Sequence, residues 1–512
     1  MRKWMSMKKG LIAISLAGLL LAGCQSGGGQ SGANEPGSKS GSNGKAATGA
    51  EISFMVSSLE SWPFNEDWWI WKALEERTNI KLKITPVLSA NYEERLSAVM
   101  ASGTLPDMIV TNTATSRTFG LQGPFLDFNE HLDRMPNMQA WLKDHPDVYT
   151  NSLASDGKLY IAPALGTGEA NRAGWMYRDD IFSKHQLAVP RNTEELYEVL
   201  VQLKQLYPDS YPLSFRSSFA RFMYMAPQWK ANTVIYYDAD AAAWKYGPIE
   251  DGYKEMLKYM HRLNEEKLIP PDWLTLDTKG WQDLVSTDKS FITLDYLTRI
   301  DGYNLSMRTQ NPEFTMRYLP PFQGGSGGQQ KFFFTTVDNS GIAVSSTTRQ
   351  LDAVLSWIDF LYTEEGKELV SWGKEGETYT VVDGQRTFID VKDLGELRSK
   401  YGLSTSGPRL WFDYDSNISV FSPEVKEAYG EAKKYDDPMI PSPAFTGDEA
   451  IDVSLLTDNL TKFMEEYTAA FVLGKRSFDT WDAYVQEAEK LGVDKLLALY
   501  QKAYDRQVKG AS

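Results

Sequence analysis

Apolar residues recur along this chain with two periods, and each period predicts a different element. Residues 52–57 form a short β-prone run, and a helix follows over about 67–77. Residues 80–87 read as a strand, with the LKIT at 82–85 alternating apolar and polar. A helix is predicted over 92–102, with Gly103 at the position beyond the last turn where glycine is favoured. The segment 105–110, LPDMIV, reads as a short buried strand. This strand–helix–strand–helix–strand order predicts a parallel sheet covered by helices. Ligands of such sheets sit at the carboxyl ends of strands, which points to loops 57–63 and 111–115.

The same alternation continues downstream. Strands are predicted over 175–178, 290–294 and 341–345, and helices over 193–206, 252–266 and 349–362. The 193–206 helix opens on a Thr-x-x-Glu-like start, and Leu268-Ile269-Pro270-Pro271 stops the 252–266 helix. From Pro423 the chain reads as mainly helical, ending in a helix over 479–506. No internal repeat of fixed period is present.

One apolar stretch stands apart. Residues 11–24, LIAISLAGLLLAGC, follow Arg2, Lys3, Lys8 and Lys9. Its apolar run of about 12 residues is too short to span a bilayer, which needs about 20. A basic start, a short apolar core and small residues before a cut make residues 1–23 a signal peptide. Leu21-Ala22-Gly23-Cys24 resembles the bacterial lipobox, which implies that Cys24 is lipidated and becomes the first residue after cleavage. Residues 24–50 are rich in Gly and Ser and are expected to be a flexible tether, with a reach of roughly 25–30 Å.

Composition narrows the function. A chain of 512 residues is long enough for two domains or one large two-lobed body. Cys24 is the sole cysteine, which excludes disulfide-stapled folds, zinc fingers and thiol catalysis in the mature chain. The formal charge is −15, and removing the leader with its four basic residues takes it to about −19. Nucleic-acid binding needs clustered Lys and Arg, so it is not expected. The acidity argues mildly against a highly anionic ligand unless a local basic cleft overrides it.

Several motifs together resemble the extracellular solute-binding lipoproteins of bacterial ABC importers, in particular the large oligosaccharide-binding group of Gram-positive bacteria. They are LSAVMASGTLPDMIV at 96–110, DGKLYIAP at 156–163, and Tyr177-Arg178-Asp179-Asp180 with Pro190-Arg191-Asn192-Thr193. Gly373-Lys374-Glu375-Gly376-Glu377-Thr378-Tyr379 follows, and then 471–504 with Gly474, Trp481, Tyr484 and Gly492. The resemblance spans 52–506 and implies a two-lobed α/β, type II periplasmic-binding-protein-like fold with a mainly helical C-terminal part. It places lobe one at 51–164 plus 340–402 and lobe two at 165–339 plus 403–512, with a ligand clamped between them. It also implies delivery to ABC permease subunits, no chemistry on the ligand, no cofactor, a monomer, and a lipid-anchored position on the outer face of the cytoplasmic membrane.

Fourteen of the fifteen tryptophans follow the leader, and aromatic planes suit sugar faces while carboxylates and amides suit hydroxyls. Most tryptophans in a chain of this size are core, and Trp68, Trp69 and Trp71 share a predicted helix, so at least one of them is core. Candidates for ligand contact therefore come from loops at strand ends and near the crossovers. They are Trp62, Asn112, Trp175, Trp229, Asp295, Tyr296, Glu375, Tyr379, Arg409 and Trp411.

Metal and enzyme readings fit less well. Asp413, Asp415, Asn417 and Glu424 have calcium-loop spacing, but Ile418 stands where the sharp turn needs Gly, so no metal site is expected. Only His131, His145, His185 and His261 are present, without HExxH, G-x-S-x-G or a Walker loop, so no catalytic residue is assigned. The alternatives are a surface polysaccharide-degrading enzyme or a receptor for a peptide or other non-sugar solute.

Overall fold

The computed structural model describes residues 49–510 apart from 60–61, 166–171, 218, 326, 335–336 and 439–441. The leader, Cys24 and nearly all of the tether lie outside the described residues. Among those described, no helix is long and apolar enough to cross a membrane.

Nine strands make two sheets: β1 (Ala50–Ser58), β2 (Ile80–Leu88), β3 (Met108–Asn112), β4 (Ala162–Leu165), β5 (Ala173–Arg178), β6 (Leu213–Ser214), β7 (Ile292–Tyr296), β8 (Met316–Leu319) and β9 (Val337–Val344). The first sheet has the order β2-β1-β3-β9-β4. β1 runs parallel to β2 (Ile52 beside Leu82) and to β3 (Phe54 beside Met108), as the alternation of strands and helices predicts. β9 returns antiparallel to both β3 and β4. Asp107 ties this sheet together: its carboxylate accepts from the Ser53 amide (2.9 Å), the Ser53 hydroxyl (2.6 Å) and the Thr348 hydroxyl (2.6 Å). Burial opposes its charge, but these donors hold its pKa below the usual carboxylate value.

The second sheet has the order β8-β5-β7-β6, with β5 fully buried between antiparallel β8 and β7. A hairpin of Ile235–Asp238 and Ala243–Tyr246 and the helices Gly447–Val472 and Val493–Gly510 pack beside it. The core of the first sheet continues through Leu403, Phe412 and Tyr429 to one face of the second, where Met176, Met316 and Ile300 join it. The other face, with Trp175, Leu294 and Leu319, has its own core.

Local details depart from the sequence reading at several ends. The cap of helix Thr193–Leu206 is Asn192, whose side chain accepts from the Glu195 amide at 2.9 Å, while Glu195 accepts from the Arg191 amide. The Thr-x-x-Glu pattern is therefore out by one residue. The strands expected at 105–110 and 290–294 run instead over Met108–Asn112 and Ile292–Tyr296. The single C-terminal helix is two, Trp481–Lys490 and Val493–Gly510. Gly492 separates them at φ +107, where a Cβ would come within 2.6 Å of Leu456. Of the three adjacent tryptophans, Trp68 and Trp71 are core, and Trp69 donates to Glu377 at the surface.

Candidate functional site

Strand pairing defines which ends of the two sheets face the crossovers. In the first sheet, Leu165 at the end of β4 pairs with Val337 at the start of β9, and Asn112 at the end of β3 pairs with Ser340. In the second, Tyr296 at the end of β7 pairs with Ala173 at the start of β5. The Asn112 end of one sheet and the Asp295–Tyr296 end of the other thus both lie at the connections between them.

A cavity of about 530 Å³ opens beside Asn112, and both halves of the molecule line it. The first half contributes Asn112, Thr113, Arg117, Asn151 and Asn339. Asn112 ends β3 and caps helix Thr113–Gly120: its side-chain oxygen accepts from the Thr115 amide at 2.9 Å. Arg117 lies one turn beyond Thr113 on that helix, on the same side. Its guanidinium donates to the Asn151 carbonyl and, at 3.4 Å, to the carbonyl of Ser442 across the cleft, while its Nε has no partner. Burial pulls its pKa down to about 10, so it remains charged at neutral pH.

The opposite wall carries the aromatic surface. Trp244 and Tyr246 come from the hairpin, and Tyr500 packs on the Trp244 ring at 4.9 Å. The Trp244 indole N–H is buried without a partner, whereas the Tyr246 hydroxyl donates to the Leu460 carbonyl. On helix Gly447–Val472 the lining residues Thr457, Leu460, Thr461 and Met464 recur at three- and four-residue spacing, which is one helical face. The two halves also touch where Gln507 donates to the Thr150 carbonyl at 2.9 Å. Among the described residues no Asp or Glu lines the cavity.

Of the ten residues named from sequence, Asn112 alone lines this cavity. Trp175 is buried in the second core, with its N–H directed to Gln228 at 3.3 Å. Trp229 is buried against Tyr259, and Gly324 lies so close to its ring that a Cβ there would come within 2.5 Å. Asp295 is fully buried and binds Arg216 at 2.6 and 3.1 Å and Arg221 at 3.2 Å, with Arg299 at 3.7 Å. Tyr296 is half-buried, with the Arg221 guanidinium 5.1 Å from its ring centre.

Trp62 is half-buried near the end of β1, with Arg398 stacked 4.0 Å over its ring. Arg409 and Trp411 flank the end of β4: Trp411 bridges to Leu165 and carries Lys367 at 4.4 Å over its ring, and Arg409 lies 5.8 Å from the Phe412 ring. Glu375 and Tyr379 line a different, shallow depression made wholly by first-half elements, where Tyr379 donates to Glu368. The calcium spacing does not form a loop either. Asp415–Ser419 is helical, Glu424 pairs with Arg308 at 3.1 Å, and Asp413 accepts from the Trp372 indole at 2.8 Å. Among the described residues no three His, Cys, Asp or Glu side chains are grouped to hold a metal ion.

Arg117, Asn151, Trp244, Tyr246 and Tyr500 are the residues that sequence reasoning missed. A signal existed for one of them, and for a further stretch of the lining. Continuing the strand-end loop at 111–115 by one helical turn reaches Arg117. The 457/460/461/464 spacing marks one face of a helix, though not what it faces.

Residues 66–368 match the family described as bacterial extracellular solute-binding protein. A fructooligosaccharide ABC transporter substrate-binding protein, FusA, of Streptococcus pneumoniae is 24% identical over 85% of this chain and 86% of its own. A polygalacturonan/rhamnogalacturonan-binding protein, YtcQ, of Bacillus subtilis is 23% identical over 85% and 87%. Among solved structures, an HMO-binding, ABC-transporter-associated solute-binding protein from Bifidobacterium longum infantis superposes with a TM-score of 0.74. It shares 20% identity, over 89% of this chain and 99% of that one.

Proposed function

The chain belongs to the bacterial extracellular solute-binding protein family and has its two-lobed α/β fold, and we propose that it captures an extracellular oligosaccharide between the lobes and delivers it to an ABC permease. The observation that carries this reading is the cavity shared by both halves. One wall offers aromatic faces from Trp244 and Tyr500, and the other offers the amide and hydroxyl groups of Asn112, Asn151 and Thr113. Sugar rings present C–H faces to the former and hydroxyl edges to the latter. The names of FusA and YtcQ, both oligo- or polysaccharide binders, support the same class.

A ligand touching both walls stabilises the closed arrangement by its differential affinity, and the permease reads that arrangement. Contacts such as Arg117 to Ser442 and Gln507 to Thr150 add to closure directly. The protein works as a receptor without chemistry on its cargo, as a monomer held at the outer face of the cytoplasmic membrane by lipid on Cys24. The lobe limits are those expected from sequence, 51–164 plus 340–402 and 165–339 plus 403–512.

Calorimetric titration of the purified chain against defined oligosaccharides, with chromatography of the ligand afterwards, tests the reading. Micromolar or tighter binding with the ligand recovered intact is expected. Turnover of the sugar would establish an enzyme instead, and silence across the panel would move the cargo outside carbohydrates.

A further inference from the structure

We infer that the cargo is an acidic oligosaccharide and that Arg117 reads its carboxylate; this rests on the receptor reading above and narrows it to one ligand class. A buried guanidinium is costly unless a counter-charge accompanies it. Two other buried arginines obey that rule: Arg172 binds Asp436, and Arg178 binds Asp180 at 2.7 Å and Asp288 at 2.6 Å. Arg117 does not. It meets two neutral carbonyls, its Nε has no partner, and among the described residues no carboxylate lines the cavity it occupies. Among the described residues nothing completes it, which leaves that place to a bound group.

The facing end of the second sheet carries the same imbalance. Arg216, Arg221 and Arg299 gather on the single carboxylate of Asp295, and the Nε of fully buried Arg221 is also without a partner. On the first half, Arg398 over Trp62 has no carboxylate partner among the described residues. A protein of formal charge −15 thus carries local excesses of positive charge at Arg117 in the cavity, around Asp295 and at Arg398. Surface charges farther than about 8–10 Å are screened at physiological ionic strength, so the local excess decides the ligand's sign. The planar guanidinium fork matches a carboxylate, whereas a neutral hydroxyl could be bound by Asn or Gln at lower desolvation cost.

The test compares short oligogalacturonides and oligoalginates with their fully methyl-esterified counterparts and with neutral oligosaccharides, by calorimetry on the purified chain. At least one acid is expected to bind about 10-fold or more tighter than its ester, the usual scale of a hydrogen bond to a charged group. Arg117→Met should bring the acid-to-ester ratio to about one while moving ester affinity little, and Arg117→Lys should keep part of it. Arg191→Met, at an exposed arginine paired with Glu195, removes equal charge and should leave the ratio unchanged. Equal binding of acid and ester, tight binding of a neutral sugar with all acids silent, or a ratio that survives Arg117→Met would each overturn the inference and leave the receptor reading standing. Silence to acids and neutral sugars alike would remove both. Should Arg117→Met fail to fold, the wild-type ratio decides the ligand class and Arg117→Lys decides the residue.

Discussion

Glu449 holds two cavity-lining helices together through a charge, and its loss should be readable in pH. It is the third residue of helix Gly447–Val472 and closes a capping box with Thr446, accepting from the Thr446 amide at 2.9 Å. The same buried carboxylate receives Arg506 at 2.8 Å and Lys502 at 2.9 Å from helix Val493–Gly510. The Arg506 hydrogen bond leads in lowering its pKa from 4.5 to about 2. At ~1.4 kcal/mol per pH unit that difference stabilises the fold by about 3 kcal/mol at pH 7. A carboxyl whose folded pKa is depressed contributes fully above its unfolded value and loses the contribution as pH falls through the folded one. The same linkage leaves about 1.4 kcal/mol at pH 3. Glu449→Gln keeps the shape and part of the cap, so it isolates the charge. Denaturant unfolding of wild type and variant at pH 7, 4 and 3 should show a gap that narrows steadily toward acid. A gap of constant size across that range would refute the assignment, because a purely steric defect does not titrate.

Three further outcomes follow from the structure and a fourth from the proposed lipid anchor. Arg178→Met strands Asp180 and Asp288 and removes a guanidinium packed 3.9 Å over the Phe314 ring, so unfolding measurements should show a loss of about 3 kcal/mol or more. Trp244→Phe should lower oligosaccharide affinity about 10-fold and also lower Tm, since Trp244 is both cavity-lining and buried, while Trp175→Phe should lower Tm and spare affinity, since Trp175 is buried away from the cavity. Gly492→Ala should cost about 1–3 kcal/mol, because φ +107 and the nearby Leu456 side chain both disfavour a Cβ. Cys24→Ser should release the protein from the membrane fraction into the medium, and retention at the membrane would count against a lipid anchor.

The closure picture carries a constraint of its own. The first core runs without interruption from the first sheet through Leu403, Phe412 and Tyr429 to Met176 and Met316 under the second sheet. The proposed closure must therefore spare that shared face and open the cavity side, where the Arg117–Ser442 and Gln507–Thr150 contacts are polar. Small-angle scattering with and without a tight ligand measures that opening, and identical profiles would argue against it.

The chain's periodicity determined the kind of the elements read from it, because a helix or strand must turn one face to a core whatever lies across from it. The parallel pairing of β1, β2 and β3 followed from alternation, though their order did not, and Gly103 occupies the left-handed position expected of it, with φ +67. Ends were less legible, since Asn192 and Thr193 are both acceptable caps and only the fold's backbone geometry selects one. The site was least legible of all. Trp175, Trp229, Asp295 and Asn112 look alike in sequence as polar or aromatic residues near strand ends, yet only Asn112 reaches the cavity. Whether such a residue faces a cleft or a core depends on what packs against it from hundreds of positions away, as with the Ser442 carbonyl over Arg117. Arg117 itself becomes conspicuous only because no described carboxylate stands around it, and that is a property of three-dimensional neighbours that no local pattern encodes.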